Sequence, residues 1–78
     1  MDVLKAFGVV LRKLRVSRGL TQEQLGFEAN LRRTFISSLE LGEKQPSLET
    51  IHKIADALDM PMSRLILKVE HEIQKVEN

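Results

Sequence analysis

The sequence has no cysteine, no tryptophan and no tyrosine, and only two prolines in 78 residues. Without cysteine, neither a disulfide framework nor a thiolate zinc site can reinforce the core. A chain of this length builds one domain around a small core, marginal unless a second chain adds to it. No apolar run approaches the ~20 residues that cross a bilayer, and no membrane association is expected. Phe7 to Leu11 is too short for a signal-peptide core and runs directly into Arg12, Lys13 and Arg15. The four glycines form no phosphate-cradling loop. His52 and His71 stand 19 residues apart, outside any His-Glu-x-x-His pattern, so no metal site is expected. Ser37 and Ser38 lie in no short motif with an activating histidine, so catalysis is not expected either. No cofactor and no small-molecule ligand follow from this composition.

Charge of one sign is also scarce, with a formal net charge of +1. That average conceals a gradient. Residues 1–38 carry seven basic and three acidic groups, whereas residues 39–78 carry five basic and eight acidic. A basic half joined to an acidic half is a localised electrostatic footprint, and phosphate binding depends on location more than on the total.

What is present is helical periodicity almost throughout. Leu4, Phe7, Leu11 and Leu14 recur at three- and four-residue intervals and predict a first helix over about 3–18, stopped by Gly19. Thr21 with Gln24 has the spacing of a capping box, and Leu20 can staple onto Leu25. A second helix is expected over 22–28, followed by the turn Ala29-Asn30-Leu31, in which Asn30 can take a positive φ. A third helix over about 33–41 buries Phe35, Ile36 and Leu39 and ends at Gly42. Ser47 caps a fourth helix with Leu48, Ile51, Ile54, Ala55 and Leu58 on its apolar face. Pro61 precedes a last helix over about 62–76. The expected fold class is all-α, a compact five-helix domain with no strand, repeat or linker.

Two short helices joined by a tight turn, over about 21–41, have helix-turn-helix geometry, in which the second helix can enter a DNA major groove. The outward residues of that second helix are Arg33, Thr34, Ser37 and Ser38, with Arg32 at its mouth. Short hydroxyl side chains reach base edges or phosphates, and arginine pairs in a bidentate way with guanine. On the last helix, Met62, Ile66, Val69, Ile73 and Val76 form a stripe with Leu65 beside it. A four-helix core needs only its first turns, so Leu65, Ile66, Val69 and Ile73 are expected to form a two-fold dimer seam, the alternative being that the stripe folds back on the same core.

The segments Thr21-Gln22-Glu23-Gln24-Leu25, Ala29-Asn30-Leu31, Ile36-Ser37-Ser38-Leu39-Glu40, Gly42, Pro46-Ser47-Leu48-Glu49-Thr50-Ile51 and Ile54-Ala55-Asp56-Ala57-Leu58, with Leu65, occur in a fixed order. Together they resemble the Cro/C1-type (Xre-type) helix-turn-helix regulators over about residues 6–67. The resemblance implies a lambda-repressor-like domain that binds double-stranded operator DNA as a homodimer and regulates transcription. It implies that Arg33, Thr34, Ser37 and Ser38 lie near the bases, and that Gln22 meets the DNA backbone and braces the third helix. It also implies that Arg15 pairs with Glu40 and that Lys44 and Gln45 lie near phosphate. Arg32, Arg12 and Arg18 are assigned to the flanking DNA backbone. The run from Asn30 to Ser37 is similar to the controller proteins of restriction-modification systems, which act as activator and autorepressor. A DNA-binding antitoxin, with about 70–78 as its toxin-binding segment, is the other reading. Either implies a cytoplasmic protein of prokaryotic, phage or plasmid origin.

Three positions depart from the family pattern. Arg32 stands where a capping Ser, Thr or Asp is usual, which costs ~1 kcal/mol if nothing substitutes. Gly26 replaces the usual Ala, at a helix-propensity cost of up to ~1 kcal/mol. Asn30 replaces the common turn glycine.

Overall fold

The computed structural model describes residues 1–77. Five helices follow in order, α1 Val3–Ser17, α2 Gln22–Ala29, α3 Arg33–Glu40, α4 Leu48–Ala57 and α5 Met62–Glu77. Their ends are set by local hydrogen bonds. Asp2 caps α1 by accepting from the Lys5 N–H at 2.9 Å. Gly19, at φ 69°, turns the chain out of α1. Thr21 Oγ1 accepts from the Gln24 N–H at 3.0 Å while Gln24 Oε1 accepts from the Thr21 N–H at 2.8 Å, a reciprocal capping box. Asn30 closes α2 at φ 58°, ψ 46°, and Ser47 caps α4 through the Thr50 N–H at 3.0 Å. Asp59, also left-handed at φ 56°, ends α4 without a glycine. Among the described residues, no helix is long and apolar enough to cross a membrane.

The core is formed by Phe7, Val10 and Leu11 of α1, Leu25 of α2, Ile36 and Leu39 of α3, Ile54 and Ala55 of α4, with Leu58 following it, and Leu65 and Val69 of α5. Leu14, Phe35 and Ile73 pack around it, half-buried. Leu48 was expected inside α4's apolar face but is exposed, because as the first helical residue it lies beyond the end of the core.

The residues of the expected dimer seam divide between the chain's own core and its surface. Leu65 is fully buried, Val69 is 5% exposed, and Ile73 packs against the same cluster. Helix α5 folds back along α1, so these three side chains are consumed by the chain's own core. Ile66, 44% exposed, and Leu67, 53% exposed, are the large apolar residues that α5 leaves on the surface among its described side chains. A 3.5-residue apolar stripe suits an intramolecular neighbour as well as a second subunit, and periodicity alone does not separate the two.

Two glycines permit the closest approaches. A Cβ on Gly8 would collide with the Glu40 carbonyl oxygen and lie 2.7 Å from that of Leu39, so α1 crosses the end of α3 almost backbone to backbone. A Cβ on Gly26 would lie 2.5 Å from the Leu31 carbonyl oxygen. The departure at position 26 thus has a steric reason. The chain folds back over α2 too tightly for alanine, and the Leu31 N–H donates to the Gly26 carbonyl at 2.8 Å.

A polar network fixes the relation of α1, α2 and α3. Arg15 Nε donates to Glu40 Oε2 at 2.6 Å and Nη2 donates to Oε1 at 3.1 Å, a bidentate pair. Gln22 Nε2 donates to Glu40 Oε1 at 3.1 Å, and Arg15 Nη1 donates to the Leu20 carbonyl at 2.7 Å. The side chains of Arg15 and Glu40 are only 12% and 5% exposed. This is a desolvated, hydrogen-bonded pair, and removing one partner strands the other charge in the interior.

Three measurements test this packing. In thermal or urea unfolding, Glu40→Ala should cost about 3 kcal/mol or more, and the double change Arg15→Met with Glu40→Leu should cost less than Glu40→Ala alone. Gly26→Ala should destabilise the fold by roughly 1–3 kcal/mol despite alanine's better helix propensity. Val69→Ala should cost roughly 1–3 kcal/mol by the same amount at low and high protein concentration. A loss seen only at high concentration would restore Val69 to a subunit seam.

Candidate nucleic-acid interface

Helix α3 is amphipathic over its eight residues. Ile36 and Leu39 are fully buried, while Arg33 and Thr34 are exposed and Ser37 and Ser38 are half-buried on the outer side. The four polar positions fall at intervals of one, three and one residue, which places them on one face across successive turns. Ser38 Oγ donates to the Thr34 carbonyl at 3.1 Å, so its hydroxyl proton is used within the helix and its lone pairs face outward. Small hydroxyls set behind Arg33 give a surface that a groove edge can approach closely.

The start of α3 has no side-chain cap, Arg32 occupying the N-cap position with extended backbone. The Phe35 N–H turns back to the Arg32 carbonyl at 3.0 Å, and the first N–H groups, those of Arg33 and Thr34, open beside two exposed guanidinium groups, Arg32 and Arg33. Anionic oxygen is the complementary ligand for such a terminus. Gln22 is half-buried at the start of α2, its amide nitrogen held by Glu40. It braces the two helices from the same side on which α3 presents its polar face.

The remaining expected contacts are dispersed. Lys44 and Gln45 are exposed in the segment 41–47, and Gln45 borders a groove with Val3, Pro46, Ile51 and Ile66. Arg12 lies on α1 in a shallow depression with Val9, Val16 and Glu40. Arg18 is separated from this set, facing Asp59, Pro61 and Arg64 between α1 and α5. Lys5 is a residue that sequence reasoning missed. Its Nζ donates to the Leu41 carbonyl at 2.9 Å, placing a cation at the end of α3. The contact spans 36 residues of sequence and needs a bare Gly42, whose Cβ would lie 2.7 Å from Lys5 Cδ. No local motif records it.

The comparisons with known proteins agree with this geometry. A helix-turn-helix family profile matches residues 11–65. The control protein C.BamHI of Bacillus amyloliquefaciens is 41% identical over 61 residues, which cover 77% of this chain and 75% of that protein. Among solved structures, the restriction-modification controller protein C.AhdI of Aeromonas hydrophila superposes with a TM-score of 0.78 at 42% identity, covering 80% of this chain and 94% of that one. The controller protein C.Esp1396I, solved as a tetramer on its natural 35-base-pair operator, superposes with a TM-score of 0.86 at 27% identity, covering 95% and 97%. With the five-helix lambda-repressor-like architecture, the bridge-locked helix pair and these matches in hand, the chain belongs to the helix-turn-helix family, in its Cro/C1 (Xre) branch of DNA-binding rather than enzymatic proteins.

Proposed function

We propose that this protein is a sequence-specific transcriptional regulator that binds a two-fold operator as a homodimer, in the manner of a restriction-modification controller. The observation that carries the reading is the outer face of α3, where Arg33, Thr34, Ser37 and Ser38 stand together on a helix held rigidly by the Arg15–Glu40–Gln22 network. Arg33 supplies bidentate recognition and the hydroxyls supply short contacts to base edges, while Arg32, Gln22, Lys44 and the free start of α3 take the phosphates. The high identity to C.BamHI and C.AhdI supports the controller assignment over other regulators.

A two-fold operator requires two α3 helices one turn of duplex apart, ~34 Å. The protomer measures 36 by 23 by 23 Å, a size that lets two copies sit side by side over such a site. The exposed Ile66 and Leu67 of α5, with Leu48 also exposed at the start of α4, supply apolar area for joining them in place of the buried Leu65 and Val69.

Genome-wide mapping of bound sites tests this reading directly, and two-fold sites upstream of a restriction gene or of the protein's own gene are the expected result. On the mapped operator, Arg33→Ala should cost about 1–3 kcal/mol of specific affinity and leave binding to random duplex nearly unchanged. Gln22→Ala should weaken both alike. Equal losses for Arg33→Ala on both duplexes would remove it from the base-reading set. Amide exchange at residues 32–35 should slow on operator binding, because phosphate completes the missing cap; identical protection in free and bound protein would count against that contact.

A further inference from the structure

The acidic balance of the C-terminal half conceals a row of cations. Arg64, Lys68 and Lys75 follow at intervals of four and seven residues along α5, with the imidazole of His71 between the last two, all exposed and on one face. Antiparallel to them, α1 contributes exposed Lys13 and Arg18. Lys13, Lys68, His71 and Lys75 border one stretch of the α1–α5 groove, and Arg18, Arg64 and Lys68 border the next. Leu14 and Lys68 line both stretches, so the groove is continuous. Two carboxylates enter it. Glu72 is engaged by Lys13 Nζ at 3.4 Å, and Asp59 stands at one end. Arg18, Arg64, Lys68 and Lys75 form no ion pair among the described residues.

We infer that this groove is a second, sequence-independent site for the phosphate backbone of DNA, taking a duplex segment other than the one read by α3. The inference rests on the DNA-binding reading above and adds a second contact surface to it. From Arg64 to Lys75 the row extends about 16 Å at ~1.5 Å per residue, a length over which duplex DNA carries about ten phosphate charges. A straight duplex lying on α3 does not also lie along this groove. Helix α3 meets α1 along Gly8 and Arg15, whereas the groove is floored by Val10 and Leu14, and Val10 lies about 200° around α1 from Gly8 at 3.6 residues per turn.

A lipid surface fits less well, because, of the apolar side chains lining the groove, Val10, Leu14 and Met60 are buried or half-buried and only Pro61 is exposed, and Ile66 and Leu67 project from other sides of α5. A second copy of the chain offers no acidic row to match. Among the described side chains the exposed carboxylates fall at most two to a helix, Glu23 and Glu28 on α2, Asp56 and the Lys53-paired Glu49 (3.6 Å) on α4 and Glu70 on α5, with Asp2, Glu43 and Asp59 scattered outside the helices. A protein held at one DNA site meets other DNA segments at high local concentration, and the four closely spaced cations Arg18, Arg64, Lys68 and Lys75 favour them without reading sequence.

The test loads the full-length protein on bead-bound operator duplex and offers a fluorescent random-sequence duplex. Wild type, R64Q/K68Q/K75Q and R33A/S37A are compared, with thermal melts showing that all three fold. Wild type should capture the second duplex. The α5 triple variant should capture about tenfold less, with a shallower salt dependence by up to ~3 log units per log unit of salt, while keeping operator affinity within about twofold. The α3 variant should lose preference for operator over random duplex. No capture by wild type, or equal capture by wild type and the α5 variant, overturns the inference. So does an operator affinity that falls as far as capture, which would place the row on the same duplex. Loss of self-association by the α5 variant in light scattering, without loss of capture, would identify a second copy as the occupant and equally overturn it. Should no operator be found, the function proposed above fails, and random-sequence duplex on the beads tests the groove independently.

Discussion

The Glu40 carboxylate is the junction on which the arrangement of the first three helices depends. Its two oxygens accept from Arg15 of α1 and Gln22 of α2, and Glu40 itself ends α3. A hydrophobic core of this size sets which helices touch, but apolar contact is non-directional and tolerates sliding. A bidentate pair at 2.6 and 3.1 Å, nearly excluded from water, does not slide. It therefore fixes the angle at which α3 presents Arg33 and Ser37. The polar groups sit at the opposite end of α3 from Arg32, leaving the N-terminal end free for a ligand.

The same compromise recurs in the backbone. Gly8 and Gly26 weaken their own helices relative to alanine, yet each stands where a neighbouring carbonyl leaves no room for a Cβ. Close approach replaces propensity as the stabilising term, and the tight turn through Asn30 follows from it. The uncapped start of α3 is different in kind. No side chain caps the helix at Arg32; the Phe35 N–H turns back to the Arg32 carbonyl at 3.0 Å, and the Arg33 and Thr34 N–H groups are left without an acceptor among the described residues.

Charge has a geometry that net values hide. Folding gathers Arg32 and Arg33 beside the polar face of α3 and aligns Arg64, Lys68 and Lys75 with Arg18 along the other side of α1. Dividing the sequence into a basic and an acidic half captured the first cluster and missed the second, because the cations of α5 alternate in sequence with Glu70 and Glu72. Only helical spacing gathers these cations on one face and turns Glu70 away from them, while Glu72 stays beside them and pairs with Lys13.

Local rules were legible without coordinates. The capping box at Thr21 and Gln24, the Ser47 cap and the left-handed Asn30 involve residues within a few positions of one another, and short-range sterics and hydrogen bonding specify them. The order of five helices, the inward residues Ile36 and Leu39, and the family resemblance that named Arg15 and Glu40 were likewise available. What only the tertiary structure decided is which surfaces meet. It buried Leu65 and Val69 against α1, drew Lys5 onto the end of α3, set Arg18 beside Arg64, and gave Gly26 its steric reason. Hydrophobic period states that a face is buried but not by what, and contacts across tens of residues leave no local trace in the chain.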